Sequence, residues 1–256
     1  MLRHDDSPMV AVFSHPNHEL AVFGLLQSER PALVYLTDGG GERRVEQTRR
    51  GLAGIGLADS ARYLGYAERS FYEALLEQDV AFFLEVAARV RDALTEVAPS
   101  RVLCDAVEFY NPVHDLSLPI VRRALRGASQ AEVFEVPLVQ QKNDEIESYR
   151  VQRMSDGDSG PQLAWRLSLQ QVEAKLEARD RIYTILTEQM GDVLASIPPA
   201  DLAVEMILPA RSTLPKPGGE RVLRYERRAR MLLARGEIER MITFAGHYLP
   251  VAEALF

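Results

Sequence analysis

Met9-Val10-Ala11-Val12-Phe13-Ser14-His15-Pro16-Asn17-His18-Glu19 decides how this chain is read. The five apolar residues predict a buried parallel strand. Ser14 to His18 then form the turn at its C-terminal end, and a helical segment begins near Glu19 with Asn17 as its expected N-cap. Open α/β sheets bind their ligands at such strand ends. The chain has five histidines. His15 and His18 share this turn, and His114 lies in Tyr110-Asn111-Pro112-Val113-His114-Asp115, a second strand-to-helix loop. His4 and His247 read as ordinary surface or structural histidines.

Working outward, residues 32–36 form a second strand and complete a strand–helix–strand unit. Thr37-Asp38-Gly39-Gly40-Gly41 follows as either a flexible loop or one that shapes a pocket. It lacks the Gly-Lys-Ser/Thr of a P-loop, which excludes that motif. Residues 47–64 read as a helix in spite of Gly51, Gly54 and Gly56, each of which weakens it. Leu76, Val80, Phe83, Ala87, Val90 and Leu94 recur at helical spacing, and Pro99 ends that helix. Residues 101–107 predict a strand, 115–125 a helix and 131–138 a strand. Residues 155–161 read as an exposed loop.

Leu169, Val172, Leu176, Tyr183, Leu186, Met190, Val193 and Ile197 fall close to a heptad. They predict one long helix, packed on its own domain or across a dimer interface, and Pro198-Pro199 stop it. The stretch 209–219 is punctuated by turns, 222–235 reads as a last helix, and 238–248 as a short amphipathic piece. The expected architecture is an α/β three-layer sandwich with a mostly parallel sheet. It forms one domain over residues 1–256, with 161–256 a mostly helical part packed on it.

A 46% hydrophobic and 26% charged composition over 256 residues suits a soluble globular chain. The net charge of −7 excludes an overall basic field for nucleic acid. Arg221, Arg224, Arg227, Arg228 and Arg230 cluster locally. They read as a solvated helix face, with an anionic substrate or partner as the alternative. Cys104 is the single cysteine, so no intrachain disulfide forms. The polar, acidic start at Met1–Asp6 is unlike a secretory signal, and no apolar run approaches the roughly 20 residues of a membrane span. The expectation is a cytoplasmic protein acting on a small molecule, without nucleic acid or membrane, and with a homo-oligomer as an open alternative.

In a right-handed parallel sheet the strand-end loops open on one edge, so His15, His18 and His114 can converge on one ion. Imidazole suits zinc, iron, nickel or copper. Three protein ligands and an open position make the catalytic zinc arrangement.

These residues resemble the PIG-L/LmbE-like de-N-acetylases. That family has His-Pro-Asp-Asp-Glu after its first strand, where this chain has His15-Pro16-Asn17-His18-Glu19. Its Thr-x-Gly loop corresponds to Thr37-Asp38-Gly39, its Leu-Gly helix end to Leu64-Gly65, and its His-Pro-Asp-His motif to Asn111-Pro112-Val113-His114. His247-Tyr248-Leu249-Pro250 is similar to its C-terminal tail. The resemblance implies a Rossmann-like, LmbE-like fold and metal-dependent hydrolysis of a C–N amide bond in an N-acetylglucosamine-type substrate. It implies a divalent metal, zinc first, on His15, His18 and His114, with His18 in place of an aspartate. Asn17 stands where the family has its general base, and an amide cannot take that proton. Asn111 stands where a histidine stabilises the oxyanion, and it can still donate a hydrogen bond. Val113 replaces the aspartate that steers a neighbouring histidine. Glu19, Asp38, Glu108 and Asp115 are candidate substitute bases, each with a structural role as the alternative. A non-catalytic metal- or ligand-binding descendant, or an interaction module with structural histidines, are the competing readings.

Overall fold

All five side chains of β1 (Met9–Phe13) are buried, and they alternate between two separate cores. The computed structural model describes residues 8–141, 149–151, 163–195, 197–217 and 222–256. His4, the 155–161 loop and Arg221 lie outside them. After β1 come a 3-10 turn at His18–Val22, α1 (Phe23–Glu29), β2 (Ala32–Thr37), α2 (Glu42–Gly54) and β3 (Ala61–Tyr66). Then follow α3 (Glu68–Leu76), α4 (Val80–Val97), β4 (Arg101–Asp105), α5 (Pro112–Asp115), α6 (Ser117–Leu125) and β5 (Glu132–Val136). A small antiparallel pair, β6 (Val139–Gln141) and β7 (Tyr149–Val151), precedes β8 (Leu163–Arg166), α7 (Leu169–Glu177) and α8 (Thr184–Ala195). The chain ends with α9 (Pro199–Leu202), β9 (Val204–Pro209), α10 (Arg224–Ala234) and α11 (Leu249–Leu255).

The main sheet runs β3-β2-β1-β4-β5-β9-β8. Its first five strands are parallel, and β9 and β8 join antiparallel. Val10, Val12, Val34, Val102 and Cys104 face a core closed by α3, α4, α6 and α11. Ala11, Phe13, Leu33, Tyr35 and Leu103 face a second core closed by α1, α2 and the turn after α7. This is the expected three-layer α/β fold. No helix among the described residues is long and apolar enough to cross a membrane.

Three expectations need correcting. The helix expected over 47–64 is α2, which stops at Gly54; the amides of Ile55 and Gly56 bond back to the Leu52 and Ala53 carbonyls. Leu64-Gly65 therefore lies in the edge strand β3 and not at a helix end. The long helix expected over 169–197 is broken, because a π-turn at Ala178–Ile182 and non-helical Tyr183 separate α7 from α8, and α8 itself kinks at Met190. The break drives the Tyr183 ring into α2 at Gly51, where any Cβ would collide with the phenol. Residues 161–256 also add β8 and β9 to the sheet. The carboxylate of Glu205 in β9 accepts from the Gly24 and Leu25 amides (2.9 and 2.8 Å) and from buried Lys175 (2.8 Å), capping the start of α1.

Candidate metal centre

Strand order reverses between β1 and β4, and at that crevice an open sheet offers its ligand site. The loop after β1 is fixed there by Thr37, whose amide and hydroxyl both donate to the Ser14 carbonyl (3.0 and 2.8 Å). Asn17 turns the chain in the left-handed region at φ 78°, which asparagine tolerates better than most residues. It is not a side-chain N-cap, as the sequence suggests. Its amide and Nδ2 instead donate to Thr48 Oγ1 (2.8 and 3.0 Å), tying the loop to α2. Across the crevice, Asn111 caps α5 by accepting from the Val113 amide at 2.9 Å, with Pro112 in the first turn. That short helix presents His114.

These two loops bring His15, His18 and His114 together. Ring centroids lie 4.4 to 5.0 Å apart, and one ligating nitrogen from each fits within 4.8 Å of the others. His15 Nδ1 and His114 Nε2 are 3.1 Å apart. Nitrogens sharing a tetrahedral ion at about 2.0–2.1 Å stand about 3.3–3.4 Å apart, so this spacing suits a shared ion. Burial, then His15, then Arg44 hold His18 well below the usual imidazole range. Burial, His18, His15, Arg44 and Arg224 do the same for His114. Both rings are neutral with lone pairs available, the state a metal ligand needs.

Two carboxylates missed in the sequence support these rings. Asp105, the last residue of β4, has Oδ2 3.0 Å from His18 Nδ1 and accepts from the Ser14 amide and hydroxyl (2.7 and 2.5 Å). Burial raises Asp105 to about 7 against the pull of Ser14. Glu68 Oε1 lies 3.1 Å from His15 Nε2, an electrostatic contact whose N–H axis is angled away from a regular hydrogen bond. Burial raises Glu68, but His15, the Tyr72 hydroxyl and Arg44 together bring it down to about 2. A carboxylate behind a ligating histidine fixes its tautomer and orientation. Asp105 and Glu68 thus each hold a carboxylate oxygen against one of the three rings.

The remaining acids are placed otherwise. Asp115 accepts from the Glu108 and Phe109 amides (2.8 and 3.1 Å), and Glu108 from the Leu138 and Val139 amides. Asp38 accepts from the Gly40 and Glu68 amides. Glu19 is buried in the second core near Tyr35, Tyr183 and Thr48. None of these four lines the cleft above the histidines, because backbone amides or the core claim each of them. Asn17, Asn111, Glu68 and Tyr72 do line it. Asn111 Oδ1 accepts from Val113 and from Tyr72 (3.3 Å), which leaves its NH2 as the donating end. The Gly39-Gly40-Gly41 loop forms part of the wall. The cleft measures about 1080 Å³.

No protein-family model matches the chain, and no curated protein matches it in sequence. Solved structures do match. A deacetylase triple mutant of the teicoplanin biosynthetic pathway is 13% identical with a TM-score of 0.53, over 79% of this chain and 97% of its own. A deacetylase of that pathway in complex with teicoplanin is 11% identical with a TM-score of 0.54, over 79% of this chain and 98% of its own. At these identities the likeness is one of fold, and it is the fold that the motif resemblance implies.

Proposed function

We propose that this chain is a metal-dependent hydrolase of a C–N amide bond, of the de-N-acetylase type. The convergence of three buried histidines at the sheet's switch point, two of them backed by carboxylates, carries this reading. The deacetylase fold of the structural neighbours supports it. His15, His18 and His114 would hold a divalent ion, with zinc the first choice for three imidazoles. Bound there, the ion would acidify a water and polarise the acyl oxygen.

The protein's own contribution is orientation. Asp105 and Glu68 lock the His18 and His15 rings, and the Asn111 NH2 is placed to donate to the developing oxyanion. Glu68 keeps its charge because His15, Tyr72 and Arg44 stabilise it, so it orients His15 and is a poor proton acceptor. Asn17 cannot accept a proton at all. That residue favours the second reading, a descendant that binds metal or ligand without turnover.

Metal analysis of the full chain purified without added metal, together with acetate release from N-acetylglucosamine and diacetylchitobiose, separates the readings. Stoichiometric zinc and acetate release, both lost in His18→Ala, are the expected results. Zinc without acetate release selects the non-catalytic reading, and absence of metal in the unaltered protein removes the hydrolase and leaves only a ligand-binding descendant.

A further inference from the structure

We propose that the cleft selects an amide on a molecule that also carries an apolar chain, with the chain laid along α8 and α10 while the amide sits at the histidines. This deepens the hydrolase reading, on which it rests for the bond that is cut.

Helix α10 buries none of its 11 residues, although it carries an apolar stripe. Tyr225, near its start, packs against the first core. Ala229 and Leu232, one and two turns further on, join neither core and line the cleft instead. Ile238 and Met241, just past the helix, do the same. An amphipathic helix ordinarily turns such a stripe toward a core. Here the stripe is turned toward a cavity. Leu186 and Met190 of α8, at the margin of the second core, line the same cleft. Apolar side chains from both sides of the sheet thus border the space above the histidines. Met190 and Met241 give this wall unbranched, adaptable side chains that suit a chain of variable shape.

The arginines of the wall are largely engaged by other side chains. Arg43 pairs with Glu188 and Arg240 with Glu77, while Arg44 donates to Gln189 and is set against Glu68. The Arg224 guanidinium stacks on Tyr110, 4.1 Å from the ring centroid. What the cleft offers beyond the histidines is therefore mainly apolar surface. A volume of about 1080 Å³ is at the upper end of small-molecule sites and far exceeds an acetamide. The histidines and the apolar stripe lie in one cavity, so the molecule whose amide reaches the histidines is the one that fills the rest. A hydrocarbon chain gains by leaving water there, whereas water against the stripe finds few hydrogen-bond partners.

The chain belongs either to the acyl group or to the group on the amide nitrogen, and two pairs of stable product analogues separate these sources. Acetate and octanoate differ only in an acyl chain, and methyl and octyl glucosaminide differ only in a chain across the amide. Calorimetric binding of each, below its micelle-forming concentration, is measured on the zinc-loaded full chain. Burying one methylene strengthens binding about three- to fourfold. The expected result is that in at least one pair the longer ligand binds about tenfold or more tightly, with a more negative heat capacity change and little response to salt. The pair that shows the gain identifies where the chain is attached. In Leu232→Gln/Met241→Gln the gain falls to about threefold or less. Ala229→Phe, which fills the cavity without adding a polar group, gives the same loss if the double variant folds poorly. No gain in either pair, or a gain that survives in both variants, overturns the proposal. Free amine released from N-acetylglucosamine, N-octanoylglucosamine and octyl N-acetylglucosaminide is read on the same protein. Chain-selective binding without release leaves the apolar site standing and removes the hydrolase reading. Release without chain-selective binding does the reverse.

Discussion

Asn17 donates from Nδ2 to Thr48 Oγ1 and to the Arg44 carbonyl (3.3 Å), so its surroundings are built for an amide. Asn17→Asp would lose both donations and set a carboxylate against a carbonyl, while placing a proton acceptor beside His15 and His18. The expected outcome is a loss of about 1–3 kcal/mol in stability together with a rise in kcat of about 10²-fold or more. Denaturant unfolding and steady-state acetate release measure the two. Glu108 offers a pH-dependent counterpart away from the histidines. Burial raises its pKa well above the carboxylate range despite the amides it accepts. An acid whose pKa is higher folded than unfolded contributes stability that is fully present below the unfolded value of about 4.5 and is lost as pH rises toward the folded value. Glu108→Gln keeps an acceptor for the Leu138 and Val139 amides, so its stability should decline less with pH over that window. Unfolding of both proteins as a function of pH measures the difference.

Two contacts between elements hold the late part of the chain against the early part. Glu205 of β9 caps α1 and pairs with buried Lys175 of α7, which also donates to the Ala21 carbonyl. Glu205→Ala leaves the buried Lys175 ammonium without a counter-charge and two helix amides without their acceptor. It should cost about 3–5 kcal/mol in urea unfolding, and Glu205→Gln with Lys175→Met should recover much of that. Gly51 of α2 admits the Tyr183 phenol, so Gly51→Ala forces α8 away from α2 and should cost about 1–3 kcal/mol. Neither contact was legible from spacing. The heptad ran unbroken through Tyr183, because periodicity records which positions are apolar and not where a ring must leave the helix to fill a distant groove. Strand β9 was not read from the sequence; it carries Glu205, a buried charge that only Lys175 and the α1 amides satisfy.

At the scale of the whole molecule, the loops after β1 and β4 meet only because the sheet order reverses between those strands. An ion shared by His15, His18 and His114 would therefore tie the two halves of the sheet together and stabilise the folded state by mass action. Zinc should raise Tm and a chelator lower it, with no such response in His18→Ala; differential scanning calorimetry reads all three. The sequence alone determined the α/β class and the strand-end placement of the histidines, because buried parallel strands are continuous apolar runs and their following loops open on one edge. It also shows amides at Asn17 and Asn111, where the resemblance implies a base and an oxyanion donor, and residue type decides whether a proton can be held. The tertiary structure alone decided which acids serve the site. Asp105 stands 87 residues from the ring it supports, and Glu68 opens a helix beyond an edge strand that the spacing did not reveal. Glu19, Asp38, Glu108 and Asp115 looked equally available in sequence. A carboxylate's role depends on what fills its lone pairs and how much water reaches it, and both are properties of the packed molecule.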